Sequence, residues 1–307
     1  MISTVRALLF KLFRGVLHLC AGKGLARWYP MNVLWPRVYK VLIRWLHPPR
    51  VTFRGHTINL DATDSLYLSN HDICPPSELR AIDALVRPGF TVVDVGAHIA
   101  LIALECARLV GAQGTVHAFE PDPSNFALLR TNVAINGYDH IHLHCQAISD
   151  RVGRASLYLS DLNHGDHQLY LSAELRSSIS VDVTTLDEFL SQSRVVPDFI
   201  KLDIQGCEAA AIAGMAGLLS SRQPPPLLLL EFWPLGLRRA GASPEALLRT
   251  LHDVGYRLYD LPLSRHFAVL STISELLLRY PTAADTATNL ICSARLLDEI
   301  APLLLHQ

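Results

Sequence analysis

Four short apolar runs, each delivering an acid at its end, constrain this 307-residue chain more than any other feature of it. They are TVVDV with Asp94, TVHAF followed by Glu120, FIKLDI with Asp203, and LLLL followed by Glu231. Aliphatic and β-branched runs of this length, separated by helical patterns, read as buried strands. They predict an α/β fold, a doubly wound and mostly parallel sheet with helices on both faces. In open α/β sheets ligands sit at the carboxyl edge of the strands. One acid there is an ordinary helix cap or loop residue. Four in step with the strand pattern point to a ligand site.

The first run passes through Gly96-Ala97-His98 into a helical pattern that continues to about Val110. Glycine lets the backbone come close to a ligand, and a helix start offers free N–H groups. Glu120 follows about two dozen residues later, placed to accept both hydroxyls of a ribose. Pro121 fixes the turn after it, and Asp122 and Asn125 start the next helix. His98 and Ala100 spoil a G-x-G-x-x-G pattern, which counts against a nicotinamide dinucleotide site.

Taken in order, VVDVGAHIA, HAFEPDPSNFALLRTNVAING, AISDRVGRASLYL, VTTLDEFL, FIKLDIQGCE and LLLLEFW resemble the FkbM-type S-adenosylmethionine-dependent methyltransferases. The resemblance runs from about Glu78 to Leu261. It implies the class I methyltransferase fold, with a seven-stranded Rossmann-like sheet, and O-methylation of a hydroxyl on a sugar, glycolipid or secondary metabolite. It also implies a cofactor site: Asp94 toward the amino-acid moiety, Gly96, Ala97 and His98 in the loop, Glu120, Pro121 and Asp122 at the ribose, Ala147 and Ile148 against adenine. Where such proteins usually read GANxG, this chain has His98 and Ala100, and Gln205 replaces a common glutamate. His98 is expected either to donate to the cofactor carboxylate or to weaken cofactor binding, and Ala100, being small, to be tolerated in the helix. An Asn-x-Gly pattern is matched by Asn163 and Gly165.

The methyl-transfer chemistry needs alignment and a proton acceptor for the hydroxyl. Asp203 and His167 are the candidate bases. Lys201 shares a strand face with Asp203, and a buried lysine needs a partner; Asp203, Glu208 and Glu231 are the candidates. Glu78, in the first turn of a helix at 77–86, is read as a charge matched to the helix dipole. Asp203 and Glu231 can together hold Mg²⁺, although nothing in the sequence requires a metal. His140, His142 and His144 alternate along one strand, read as a partly exposed face rather than a metal site. Two competing readings are a binding or scaffold protein that has lost turnover, and a nucleotide-dependent oxidoreductase.

Charge divides the chain in two. Residues 1–60 carry ten Lys and Arg and no acid, whereas the remaining 247 carry a net charge of −11. This predicts a basic amphipathic helical arm over 1–50 and a catalytic domain over 51–307. Apolar faces, Lys11, Arg14, Arg37, Lys40 and Arg44, and nearby aromatics suit contact of residues 1–47 with an anionic membrane surface, or a cap over the substrate mouth. Charges interrupt the arm too often for a transmembrane span. The acidic body argues against nucleic acid. Six scattered cysteines without a CxxC pair fit reduced thiols in a cytoplasmic protein. The expected partner is a small molecule or glycan with a free hydroxyl. Residues 51–70 are expected to form a small strand pair, with SLYLSN as its second strand. Tyr256–Tyr259 and Asn289–Cys292 are expected to close the edge of the sheet.

Overall fold

The computed structural model describes residues 48–69, 77–161, 163–172, 175–262 and 267–305. The basic arm over 1–47 lies outside them. The chain opens with a hairpin of β1 (Arg50–Phe53) and β2 (His56–Asn59), followed by α1 (Ser77–Leu85). Two strand–helix units come next, β3 (Thr91–Val95) with α2 (Leu101–Val110) and β4 (Thr115–Phe119) with α3 (Pro123–Asn136), then β5 (Ile141–His144) without a helix after it. A side sheet of β6 (Ala147–Ile148), β7 (Gly153–Tyr158) and β8 (Ser178–Thr184) interrupts before α4 (Leu186–Ser193). The main sheet resumes with β9 (Phe199–Leu202), α5 (Glu208–Ala213), α6 (Ala216–Ser221), β10 (Leu227–Phe232), α7 (Pro234–Arg239) and α8 (Pro244–Asp253). It closes with β11 (Arg257–Leu261), β12 (Val269–Leu270), α9 (Ile273–Arg279), β13 (Thr288–Ser293) and α10 (Leu297–Ile300).

The main sheet runs β12-β11-β13-β10-β9-β3-β4-β5. Strands β5, β4, β3, β9 and β10 are parallel neighbours, while β13 is antiparallel to both β10 and β11. This is the expected seven-stranded doubly wound sheet, extended by a two-residue edge strand. Asn289–Cys292 therefore lies inside the sheet, inserted between β10 and β11, and not at its edge. The sheet order reverses after β5, where the chain crosses back past β3 to β9. A crevice opens there at the carboxyl ends, as doubly wound topology dictates.

Period-two alternation splits the sheet's side chains between two cores. Val92, Val116, Phe199, Leu229 and Ile291 pack with α1 and α2 on one face. Val93, Val95, Phe119, Ile200, Leu228, Leu230 and Leu290 pack with α4, α5 and α8 on the other. Strands buried on both faces read as continuous apolar runs for this reason. The polar interruptions Asp94 and Lys201 are therefore costly and must be explained by the site.

The strand pair near the start of the domain differs from expectation. Arg54 and Gly55, at φ 49 and 90, form the tight turn of a hairpin lying wholly within residues 50–59. Two successive left-handed residues match the twist of a two-residue hairpin. Residues 65–69 of SLYLSN are instead irregular, and Asp61 organises the start of the segment by accepting from the amides and hydroxyls of Thr63 and Ser65.

Candidate active site

Register brings the first two polar residues together. Strands β3 and β9 are parallel neighbours in which Asp94 stands opposite Lys201. The Lys201 ammonium lies 3.8 Å from Asp94 Oδ1, 3.4 Å from Asp203 Oδ2 and 3.6 Å from Glu78 Oε1. Burial alone would pull the lysine pKa down, but the carboxylates of Asp203, Glu78 and Asp94 outweigh it and raise the pKa above its ordinary value. Burial pushes Asp94 up to about 6 despite Lys201, and burial likewise raises Glu78. Asp203 is the one expected partner that the structure supplies. Glu208 and Glu231 do not pair with Lys201. Glu78 does, so it is an ion-pair partner rather than simply a helix-dipole charge. Asp94 is fully buried beneath this cluster.

Glu208 holds the backbone after β9, where its Oε1 accepts the N–H groups of Ile204 and Gly206 at 3.0 and 3.2 Å. Gln205, at φ 56, is thereby turned so that its amide donates to Asp203 Oδ1 at 3.0 Å and to Glu231 Oε2 at 3.4 Å. Burial, with repulsion from Asp203 and Glu208, raises the Glu231 pKa well above its ordinary value. A cation between Asp203 and Glu231 would meet an amide donor on one side and the Lys201 ammonium on the other. Mg²⁺ needs oxygen ligands, so this donor set does not fit the ion that Asp203 and Glu231 could together have held. Among the described residues no group of three or more His, Cys, Asp or Glu side chains is arranged to hold a metal ion. The histidine row is divided as well: His140 Nε2 contacts the Ala107 carbonyl, while His144 meets His117 at 3.2 Å and stacks on Phe119.

The loop after β3 carries the second half of the site. Gly96, His98 and Ala100 have φ values of 85, 49 and 90. Ala100 is the N-cap of α2, left-handed, and not a helical residue as expected. The backbone thus keeps a glycine-like path at an alanine, at a cost of about 1–2 kcal/mol. Glu120 stabilises the path by accepting the His98 N–H on Oε2 and the Asp122 N–H on Oε1, both at 2.9 Å. Burial raises its pKa to about 7, with the two N–H donors opposing.

A proton chain fixes the His98 ring. Ser65 donates its hydroxyl to Asp61 at 2.6 Å, so its oxygen is left to accept from His98 Nε2 at 3.2 Å. Nδ1 is then unprotonated, and it is buried without a partner among the described residues. Burial lowers the His98 pKa to about 4 against the pull of Asp61. The side chain therefore has no N–H free to donate to a cofactor carboxylate, contrary to expectation.

Two cavities meet over these residues. The first is lined by Gly96, Glu120, Pro121, Ala147, Ile148, His167 and Asp203 among others. The second is lined by Ala97, Glu78, Lys201 and a group of apolar side chains. Gly96, His98, Gly165 and Asp203 line both. Asp122 lines neither. Its carboxylate caps α3 by accepting from Ser124 and Asn125, so it shapes the turn without facing the cleft.

His167 reaches the first cavity, but its Nδ1 accepts the Ser160 N–H at 3.0 Å. The neutral ring carries its proton on Nε2 and presents a donor there, not a base. Asn125, Gln146 and His164 also line the cavity's wall, as do Leu157 and Leu169, two residues that carry no polar signal in the sequence. Asn125 donates to the His164 carbonyl at 3.0 Å, and Asn163 Oδ1 accepts the Gly165 N–H at 2.9 Å. The Asn-x-Gly turn thus carries His164 to the wall.

The family model described as the methyltransferase FkbM domain matches residues 94–258. No curated protein matches the chain. Among solved structures, the methyltransferase FkbM from Methylobacillus flagellatus KT is 17% identical with a TM-score of 0.40, covering 70% of this chain and 50% of that one. This chain thus spans half the length of that protein. An S-adenosylmethionine-dependent O-methyltransferase from Thermotoga maritima is 14% identical with a TM-score of 0.41, covering 80% and 76% of the two chains. The TYW2 protein of M. jannaschii, in complex with AdoMet, is 12% identical with a TM-score of 0.38, covering 79% and 83%.

Proposed function

The chain belongs to the FkbM methyltransferase family, and on that premise we propose that it transfers a methyl group from S-adenosylmethionine to the hydroxyl of a small molecule or glycan. The cofactor supplies an electrophilic methyl on a sulfonium, open to in-line displacement by oxygen. The observation that carries the reading is the meeting of two cavities at Gly96 and Asp203. One side offers a buried carboxylate and an apolar slot, the chemistry of a nucleoside seat. The other offers a separate space beside a carboxylate.

In this reading Glu120 accepts the two ribose hydroxyls on lone pairs left over from its backbone contacts. Ala147 and Ile148, both buried, bound the adenine. The loop at Gly96, Ala97 and His98 passes beneath the cofactor. Asp203 takes the proton of the acceptor hydroxyl, and Lys201 at 3.4 Å holds its carboxylate in position. Glu231 acts only through Gln205. The donor set leaves no place for a required Mg²⁺, so turnover in a chelator is expected.

Calorimetric titration of S-adenosylmethionine into the wild type and Glu120→Ala tests the cofactor. Loss of two charge-assisted hydrogen bonds predicts affinity at least about 100-fold weaker in the variant. Equal affinity would remove Glu120 from the ribose. A second reading, a binding protein without turnover, draws on His98, Ala100 and Gln205. The retained left-handed path at Ala100 favours an intact cofactor loop over that reading. Cofactor binding without transfer to any hydroxyl compound would favour it instead. Residues 1–47 are proposed to touch an anionic membrane surface. Among the described residues no helix is long and apolar enough to cross a membrane. Equal liposome co-sedimentation with and without residues 1–47 would rule out that contact.

A further inference from the structure

The second cavity differs in chemistry from the first. Its apolar wall comes from three separate segments: Phe53 of the hairpin, Leu66, Tyr67 and Leu68 of the irregular stretch after it, and Leu101 and Ile102 of the first turn of α2. Its polar side comes from His98 and from Glu78 and Asp203, both already paired with the Lys201 ammonium. Tyr67, half exposed, stands at its rim.

We propose that this cavity seats the methyl acceptor, and that the acceptor is an uncharged hydroxyl compound carried on an apolar skeleton. The inference rests on the methyltransferase reading and narrows it. Three features argue for it. The cavity joins the nucleoside-type cleft at Gly96, His98, Gly165 and Asp203, so a group seated in it meets a candidate base at the junction. Among the described residues Asp203 is the only carboxylate that borders both spaces. A free sugar presents hydroxyls on every side, and six apolar side chains would strip them of water without replacing their hydrogen bonds. An anionic acceptor, such as a sugar phosphate, would meet two carboxylates, Glu78 and Asp203, against the one ammonium of Lys201 that they already hold. An apolar skeleton gains from the same walls. In the transfer the acceptor oxygen forms the new bond to the methyl carbon, the carbon–sulfur bond breaks toward sulfur, and the hydroxyl proton passes to Asp203.

The test uses the full chain with saturating S-adenosylhomocysteine, which fills the cofactor site without transferring, and 2-naphthol as a fluorescent probe. Saturable 2-naphthol binding is expected, with no detectable binding of glucose or glucose 6-phosphate. Leu66→Gln should weaken 2-naphthol binding roughly tenfold while S-adenosylmethionine affinity stays within about twofold of wild type, which also reports that the variant is folded. Absence of 2-naphthol binding, equal binding of either sugar, or indifference to Leu66→Gln would overturn the inference and leave the cofactor reading standing. A parallel loss of S-adenosylmethionine affinity in Leu66→Gln would also overturn it, by making the cavity part of the cofactor's seat. If the wild type binds neither S-adenosylmethionine nor S-adenosylhomocysteine, the methyltransferase reading fails first and the inference falls with it.

Discussion

A methyl group added to Gly96 would lie 2.0 Å from the carbonyl oxygen of Asp203. The end of β3 and the end of β9 touch through their backbones at this point, and both residues line the junction of the two cavities. Gly96 also sits at φ 85, where L side chains are strained. Gly96→Ala therefore combines a backbone clash with conformational strain, together about 3 kcal/mol of stability. Urea denaturation should show that loss, and cofactor titration of the folded variant should show binding at least about tenfold weaker. Wild-type behaviour in both would mean that the two strand ends separate easily.

Burial places Glu120 at about 7, so its charge changes near neutrality. Ribose recognition uses the ionised form, so S-adenosylmethionine affinity should rise between pH 6 and pH 8. The stability term has the opposite sign. The folded pKa lies above the unfolded value, so the native state holds the proton more tightly. This contribution is complete below the unfolded pKa, around 4.5, and is lost as pH rises through about 7. Glu120→Gln should flatten both trends. Calorimetry and urea melts across that range check them.

Removing the cation from the buried cluster should be costly. Lys201→Met leaves Asp203, Glu78 and Asp94 without their shared ammonium, and breaking a buried ion pair from one side costs about 3–5 kcal/mol. Adding Asp94→Asn to Lys201→Met should recover at least about 1 kcal/mol, because one uncompensated carboxylate is removed. Additive losses in denaturant melts would argue that the two residues act independently despite facing each other across β3 and β9.

The two candidate bases separate cleanly. Asp203→Asn removes the proton acceptor and should lower turnover by about 10²–10⁴. His167→Gln should change it by less than about tenfold, because the unprotonated nitrogen of His167 is already engaged by the Ser160 N–H. Methyl transfer from labelled S-adenosylmethionine to an acceptor found by screening hydroxyl compounds provides the readout. The reverse order of effects would transfer the role to His167.

Much of this was legible from the residues. The apolar runs gave the strands, and two of their terminal acids, Glu120 and Asp203, lie at the edge where the cavities open. Asp122, Thr185 and Ser243 cap their helices through local hydrogen bonds that nearby sequence encodes. Less legible were features that depend on distant partners. Glu78 read as a dipole charge because the nearest cation in sequence, Arg80, stands at i+2 on the helix, where side chains do not face each other; Lys201 reaches it only through the packing of α1 on the sheet. His98 read as a donor because the Ser65–Asp61 chain that fixes its tautomer comes from a separate segment. Ala100 read as helical because its left-handed backbone is imposed by the loop and not by the residue.

The sequence by itself determined the alternation of buried strands and capped helices, and the acids at the strand ends, because these follow from hydrophobic period and short-range hydrogen bonding. Only the tertiary structure decided that Asp94 faces Lys201, that Gln205 bridges Asp203 and Glu231, and that an apolar cavity adjoins the nucleoside-type cleft. Those relations depend on the register of parallel strands joined by long crossovers and on loops from separate segments meeting over one sheet edge. Contacts of that kind have no local signature, since what sets them is how the whole chain closes around its core.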